Sequence, residues 1–165
     1  MVNTFRGVVY IHSAVAALCP HIEWAIGAAL GRAEHCEWTR QGAAPGLLRT
    51  ELPWSGKEGT SEALVSALMR CRELRFEVTR DAATGTGERY SFTPALGVFH
   101  ALTDAAGNVL VEEDQLRAAI LRESLGGKDI RTTLEGLLGA PWDDELEIFR
   151  QAGENSSVRW MSRAV

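Results

Sequence analysis

Leu74-Arg-Phe-Glu-Val-Thr-Arg80 sets Leu74, Phe76 and Val78 against Arg75, Glu77 and Thr79. Strand side chains alternate between faces with a period of two, so the stretch reads as a strand with one apolar side. Just before it, Leu64, Ala67, Leu68 and Cys71 recur at helical spacing, and Thr60 or Ser61 can cap that helix. Further upstream, Glu34–Arg40 and Leu47–Pro53 read as two strands joined by a Gly/Ala/Pro turn at 42–46. Pro20 to Leu30 reads as an earlier helix. Pro20 suits the first helical position, where no amide donor is needed, and Ile22, Ala25, Ile26, Ala29 and Leu30 form its apolar stripe before Gly31. The first strand is Phe5 to His12, with Val9 and Ile11 on one face and Val8, Tyr10 and His12 on the other.

The order up to Arg80 is βαββαβ, the split arrangement of ferredoxin-like sandwiches. Beyond it, Gly85–Gly87 turns the chain into a strand at Arg89–Thr93, and Leu96–Thr103 with Val109–Val111 read as a hairpin. The acids at 112–114 open a helix that Gly126-Gly127 ends. Ile130, Leu134, Leu137 and Leu138 mark a further helix. Pro141-Trp-Asp-Asp144 begins a last one, closed by Gly153, and Ser157–Ser162 is a final strand candidate. The expectation is one α+β domain over residues 1–165. Its ferredoxin-like N-terminal half is extended by further antiparallel strands and two or three C-terminal helices, as a single layered sandwich.

Composition narrows the function classes. A chain of 165 residues with 45% hydrophobic and 24% charged residues is that of an ordinary globular domain. Its 17 basic against 22 acidic side chains give a net charge of −5, which argues against a nucleic-acid binder. No run of 18 apolar residues is present, so no membrane-spanning helix is expected. Cys19, Cys36 and Cys71 cannot all pair with one another, and so sparse a set predicts reduced thiols and a cytoplasmic protein.

The densest polar cluster in sequence is His12, Ser13, Cys19 and His21, around the first strand-to-helix junction. A junction of this kind collects free amide donors, so the alternative reading is an anion- or ligand-binding protein or a small acyl-transfer-type enzyme with Cys19 as nucleophile, His12 or His21 as its base and amides near His21 as oxyanion donors. The simpler account of these residues is structural: Cys19 is a small buried residue, His12 ends a strand and Ser13 makes a local turn. Cys19 with His21 and His35 with Cys36 lack zinc spacing, so no metal is expected. The loop Gly56-Lys-Glu-Gly-Thr60 is too short for a phosphate cradle and carries Glu58. Asp143, Asp144, Glu145 and Glu147 are explained by the dipole at a helix start more simply than by a carboxylate pair. His100 reads as a core histidine among Leu96, Val98 and Leu102. Of the five tryptophans, Trp24 beside the first helical stripe and Trp54 in a loop are the surface-anchor candidates. Trp142 and Trp160 are expected to brace the C-terminal layer. There is no nucleophile elbow, dinucleotide fingerprint, zinc-protease or kinase motif, so no cofactor is expected and the reading leans to a non-catalytic binding module.

The strings Arg6-Gly-Val-Val-Tyr-Ile-His-Ser13, Leu18-Cys-Pro-His-Ile-Glu-Trp24, Arg75-Phe-Glu-Val78, Gly87-Glu-Arg-Tyr-Ser-Phe-Thr-Pro94, Leu96-Gly-Val-Phe-His-Ala101 and Pro141-Trp-Asp-Asp-Glu-Leu-Glu147 carry a resemblance. The chain resembles the actinobacterial domain-of-unknown-function family three-one-four-five over nearly its whole length. The resemblance implies a small cytoplasmic protein and a partner in type II fatty-acid synthesis: an acyl carrier, ketosynthase or acyl-CoA carboxylase protein. It implies no activity and no catalytic residue.

Overall fold

The computed structural model describes residues 4–82 and 85–152. In chain order the elements are β1 (Phe5–Val15), α1 (Cys19–Leu30), β2 (Thr39–Arg40), β3 (Leu47–Gly56), α2 (Thr60–Leu68), β4 (Arg75–Arg80), β5 (Gly87–Thr93), β6 (Gly97–Thr103), β7 (Val109–Leu110), α3 (Glu113–Ser124), α4 (Ile130–Leu138) and α5 (Ala140–Gln151). The strands form one open sheet in the order β2-β3-β1-β4-β5-β6-β7, and every neighbouring pair is antiparallel. The class is α+β. Gly153, Trp160 and the strand expected at 157–162 lie outside the described residues.

The alternation in β4 sorts the two faces. Phe76 pairs with Ile11 and Phe92, and Val78 with Val9 and Tyr90, giving one apolar face. Onto it α1 brings Ile22 and Ile26, and α2 brings Leu64, Val65 and Leu68. Phe76 stacks on Phe92 with ring centres 5.1 Å apart at the middle of this core. Gly31 ends α1 in the left-handed conformation (φ 70°), as its place after the apolar stripe suggested.

Gly7 is required by a close approach. A Cβ there would lie 1.8 Å from the Thr79 carbonyl oxygen and 2.9 Å from the Trp54 ring. Strand backbone cannot yield as a flexible side chain would, so Gly7→Ala is expected to lose about 1–3 kcal/mol or more, read from urea unfolding midpoints.

Several expectations are corrected. The strand expected over 34–40 shortens to Thr39–Arg40, because the chain before it is tied to α1 instead of to the sheet. Glu23 accepts from the Cys36 amide (3.1 Å), the Trp38 indole (2.9 Å) and His35 (3.2 Å). The α2 cap is Gly59 in the left-handed conformation, while Thr60 and Ser61 are buried in the first turn, Ser61 donating to Glu88 at 2.7 Å. Trp54 belongs to β3, not to a loop; it is 3% exposed and its indole donates to the Thr79 carbonyl at 3.2 Å. His100 is exposed and stacks on Tyr90 with ring centres 4.3 Å apart. The layering also differs, since helices lie on both faces: α5 packs on β1 and β5, opposite α1 and α2.

Candidate functional site

The second face of the sheet carries Tyr10, Glu77 and Ser91 in one cross-strand row, with Arg89 beside Thr79 in the next. A polar face of this kind belongs in water, yet Glu77 and Ser91 are 0% exposed because α5 lies across them. The helix supplies matching groups. Arg150 donates to Glu77 through Nε (3.0 Å) and Nη2, and also to Asp143 at 2.9 Å. Arg89 pairs with Asp143, and Arg75 meets Glu145 at 3.2 Å while its guanidinium covers the Phe149 ring. Gln41 donates to the His12 carbonyl (2.7 Å) and the Phe149 carbonyl (3.1 Å), and Arg49 reaches the latter as well. Leu146 is the fully buried apolar anchor of the helix, and Trp142 donates to the Gly97 carbonyl at 2.9 Å while packing on Phe99.

Glu77 is the centre of this network. Its Oε1 accepts from Ser91 (3.0 Å) and Arg150, and its Oε2 from His12 Nε2 (2.7 Å) and Arg150 Nε. Burial alone would raise its pKa. The His12 hydrogen bond and the Arg150 guanidinium outweigh burial and hold the carboxyl well below the usual carboxylate range. An ionised Glu77 only accepts, so His12 Nε2 carries the proton between them. Four donors fill a carboxylate's acceptor sites, and His12 and Arg150 are themselves buried. The arrangement therefore latches α5 to the sheet and leaves Glu77 no acceptor site for a substrate. Ser13 Oγ, Thr50 Oγ1 and Arg89 Nε are buried without hydrogen-bond partners among the described residues.

The residues singled out at the first strand-to-helix junction do not assemble. Cys19 begins α1, buried, with its thiol donating to the Val15 carbonyl. Burial, and secondarily Glu23, pushes that thiol up from its ordinary pKa. His12 turns to Glu77 on the opposite side of the sheet, and His21 is exposed. Cys36 is also buried, its thiol pushed up to about 11 by burial and by Glu23. Among the described residues no three His, Cys, Asp or Glu side chains come together as a metal site would need. Trp24 is 70% exposed on α1. Asp143 and Glu145 pair with arginines, which the helix-start reading of the acidic run did not foresee. Sequence reasoning missed Glu77, Arg89, Ser91 and Arg150. Their only signal was charge complementarity between Arg75 and Arg89 in the strands and Asp143 and Glu145 in the helix.

A second feature is built from α3 and α4. Local devices hold these helices. Glu112 and Gln115 form a capping box, Arg117 pairs with Glu113 one turn earlier, and Asp129 caps α4 through the Thr132 amide. α3 packs against α4 and α4 against α5, yet α3 buries only Ala119 and α4 buries no residue. Leu116, Ile120 (61%), Leu121, Leu125 (78%) and Leu138 are left exposed on this two-helix arm.

Among known proteins, the profile of the family described as "Protein of unknown function (DUF3145)" matches residues 8–163. No curated protein and no solved structure matches the chain.

Proposed function

The chain belongs to the DUF3145 family, and from that premise we propose that it is a non-catalytic binding module whose protein partner docks on the α3–α4 arm. The observation that carries the reading is the arm itself: two capped helices that expose Ile120, Leu121 and Leu125 while contributing almost nothing to the core. Leu116 with Ile120 and Leu121 with Leu125 are four residues apart, so each pair shares a helix face, and exposed apolar patches on soluble proteins mark interaction sites. The buried, pKa-raised Cys19 and the saturated carboxylate of Glu77 support a non-catalytic role. The three cysteines are free, which supports a reducing cytoplasm. The family resemblance directs the first search to acyl carrier, ketosynthase and acyl-CoA carboxylase proteins. A second reading places the contact at Trp24, favoured by the exposure of its large ring.

The first four strands with α1 and α2 are read as a ferredoxin-like unit, supported by the β2-β3-β1-β4 order and antiparallel neighbours. The remaining elements extend it within a single domain.

The test is quantitative co-purification from the native cytoplasm with wild type, Leu121→Glu/Leu125→Glu and Trp24→Ala. A stoichiometric partner is expected with wild type and Trp24→Ala, and at least tenfold less with the arm variant. Both positions are exposed, so the arm variant should keep its stability within about 0.5 kcal/mol per substitution. Equal capture by the arm variant contradicts the proposed surface, and loss with Trp24→Ala alone moves it to α1.

A further inference from the structure

Between α3 and α4, where the chain turns through Gly126 and Gly127, lies an open surface cleft of about 590 Å³. That volume falls within the roughly 300–1,000 Å³ of small-ligand pockets. Its lining is predominantly apolar: Leu125 and Leu137 form walls, and Gly126 and Gly136 leave main chain bare. A Cβ added at Gly136 would meet no atom within 4 Å, so the space over α4 is open.

Arg122 and Lys128 line the same cleft, and neither side chain has a hydrogen-bond or ion-pair partner among the described residues. The acids beside them are engaged elsewhere. Glu123 accepts from the Ile130 amide at 3.1 Å, and Asp129 accepts from the Thr132 amide (3.0 Å) and hydroxyl (2.6 Å). Both acids stay charged but are turned to main-chain and hydroxyl donors, so the cleft carries two cations without a direct ion-pair partner among the described residues, over predominantly apolar walls.

We infer that this cleft is a binding site for a small amphipathic anion. Its apolar tail lies between Leu125 and Leu137, and its carboxylate or phosphate head meets Arg122 and Lys128. Burial of the tail drives insertion, and charge-assisted hydrogen bonds to the head fix its direction. This site shares Leu125 with the protein contact proposed above but is reached from the Arg122, Lys128 and Gly136 side, and its test needs no partner and changes none of the contact residues.

The experiment is calorimetric titration of the full chain with octyl phosphate, octanoate, octanol and inorganic phosphate, each below its aggregation limit. Octyl phosphate or octanoate is expected to bind once, saturably, and at least tenfold tighter than octanol or inorganic phosphate. The better of the two identifies the head group. Arg122→Gln/Lys128→Gln should reduce that affinity to the level of octanol. Gly136→Leu should fill the space and abolish binding, with a melting temperature no lower than wild type, because leucine favours helix over glycine. The inference is overturned by absence of saturable binding, by equal affinity for octanol, by equal affinity for inorganic phosphate, or by full binding in a folded Gly136→Leu protein.

Discussion

Glu77→Gln is expected to destabilise the fold by about 3–5 kcal/mol, the loss typical of a buried ion pair stripped of one partner. The amide keeps the shape of the carboxylate but not its charge. It leaves the Arg150 guanidinium buried with Asp143 and the more distant Glu147, and gives His12 a weaker acceptor. Acid titration separates this loss from simple misfit. The folded Glu77 carboxyl has a lowered pKa, so its stabilisation is fully present above the ordinary glutamate value of about 4.3. It fades as pH falls from there toward the depressed folded value. The gap between wild type and Glu77→Gln in urea unfolding should therefore be widest near neutrality and narrow below about pH 4. A gap that stays constant on acidification would mean that Glu77 is not held ionised under α5.

Phe76→Ala, one residue away on the other face, should lose a similar amount for a different reason. Phe76 is 0% exposed among Ile11, Phe92 and the leucines of α2. Truncation removes the transfer energy of the ring and leaves a cavity that the paired strands cannot close, at about 3–5 kcal/mol. No titratable partner is involved, so this loss should be independent of pH between 4 and 8. Denaturant unfolding of the two variants over the same pH series thus distinguishes the apolar face of β4 from its ionic face.

The two substitutions mark what was legible in the sequence. The apolar alternation of β4, the α1 stripe with its Gly31 stop, and the hairpin of β6 and β7 follow from local periodicity and turn chemistry, and the structure has them where those signals fall. The polar half of the same alternation gave no such guidance. Glu77 and Thr79 look like a solvated face until α5, more than sixty residues later, lays Arg150 and Asp143 over it. That pairing is set by tertiary geometry, to which single-residue periodicity is blind. Trp54 misled for a related reason. Pro53 and Ser55 flank it with loop-forming residues, but Pro53 is exposed in a strand whose inward neighbour is the tryptophan. The sequence cluster at His12, Ser13, Cys19 and His21 is dispersed because the β1 strand and the α1 helix send those side chains to different sides of the sheet. The arm was visible as two helices; that they would bury so little was not, because burial depends on what α5 leaves uncovered.

Site-specific photo-crosslinking in cells tests the binding surface most directly. Benzoylphenylalanine is placed at position 125 on the arm, at position 24 on α1, and at exposed Ser66 on α2 as a control. The expected result is one adduct of defined mass from position 125, absent or much weaker from 24 and 66. A defined adduct from position 24 with none from 125 would contradict the assignment of the α3–α4 arm as the docking face.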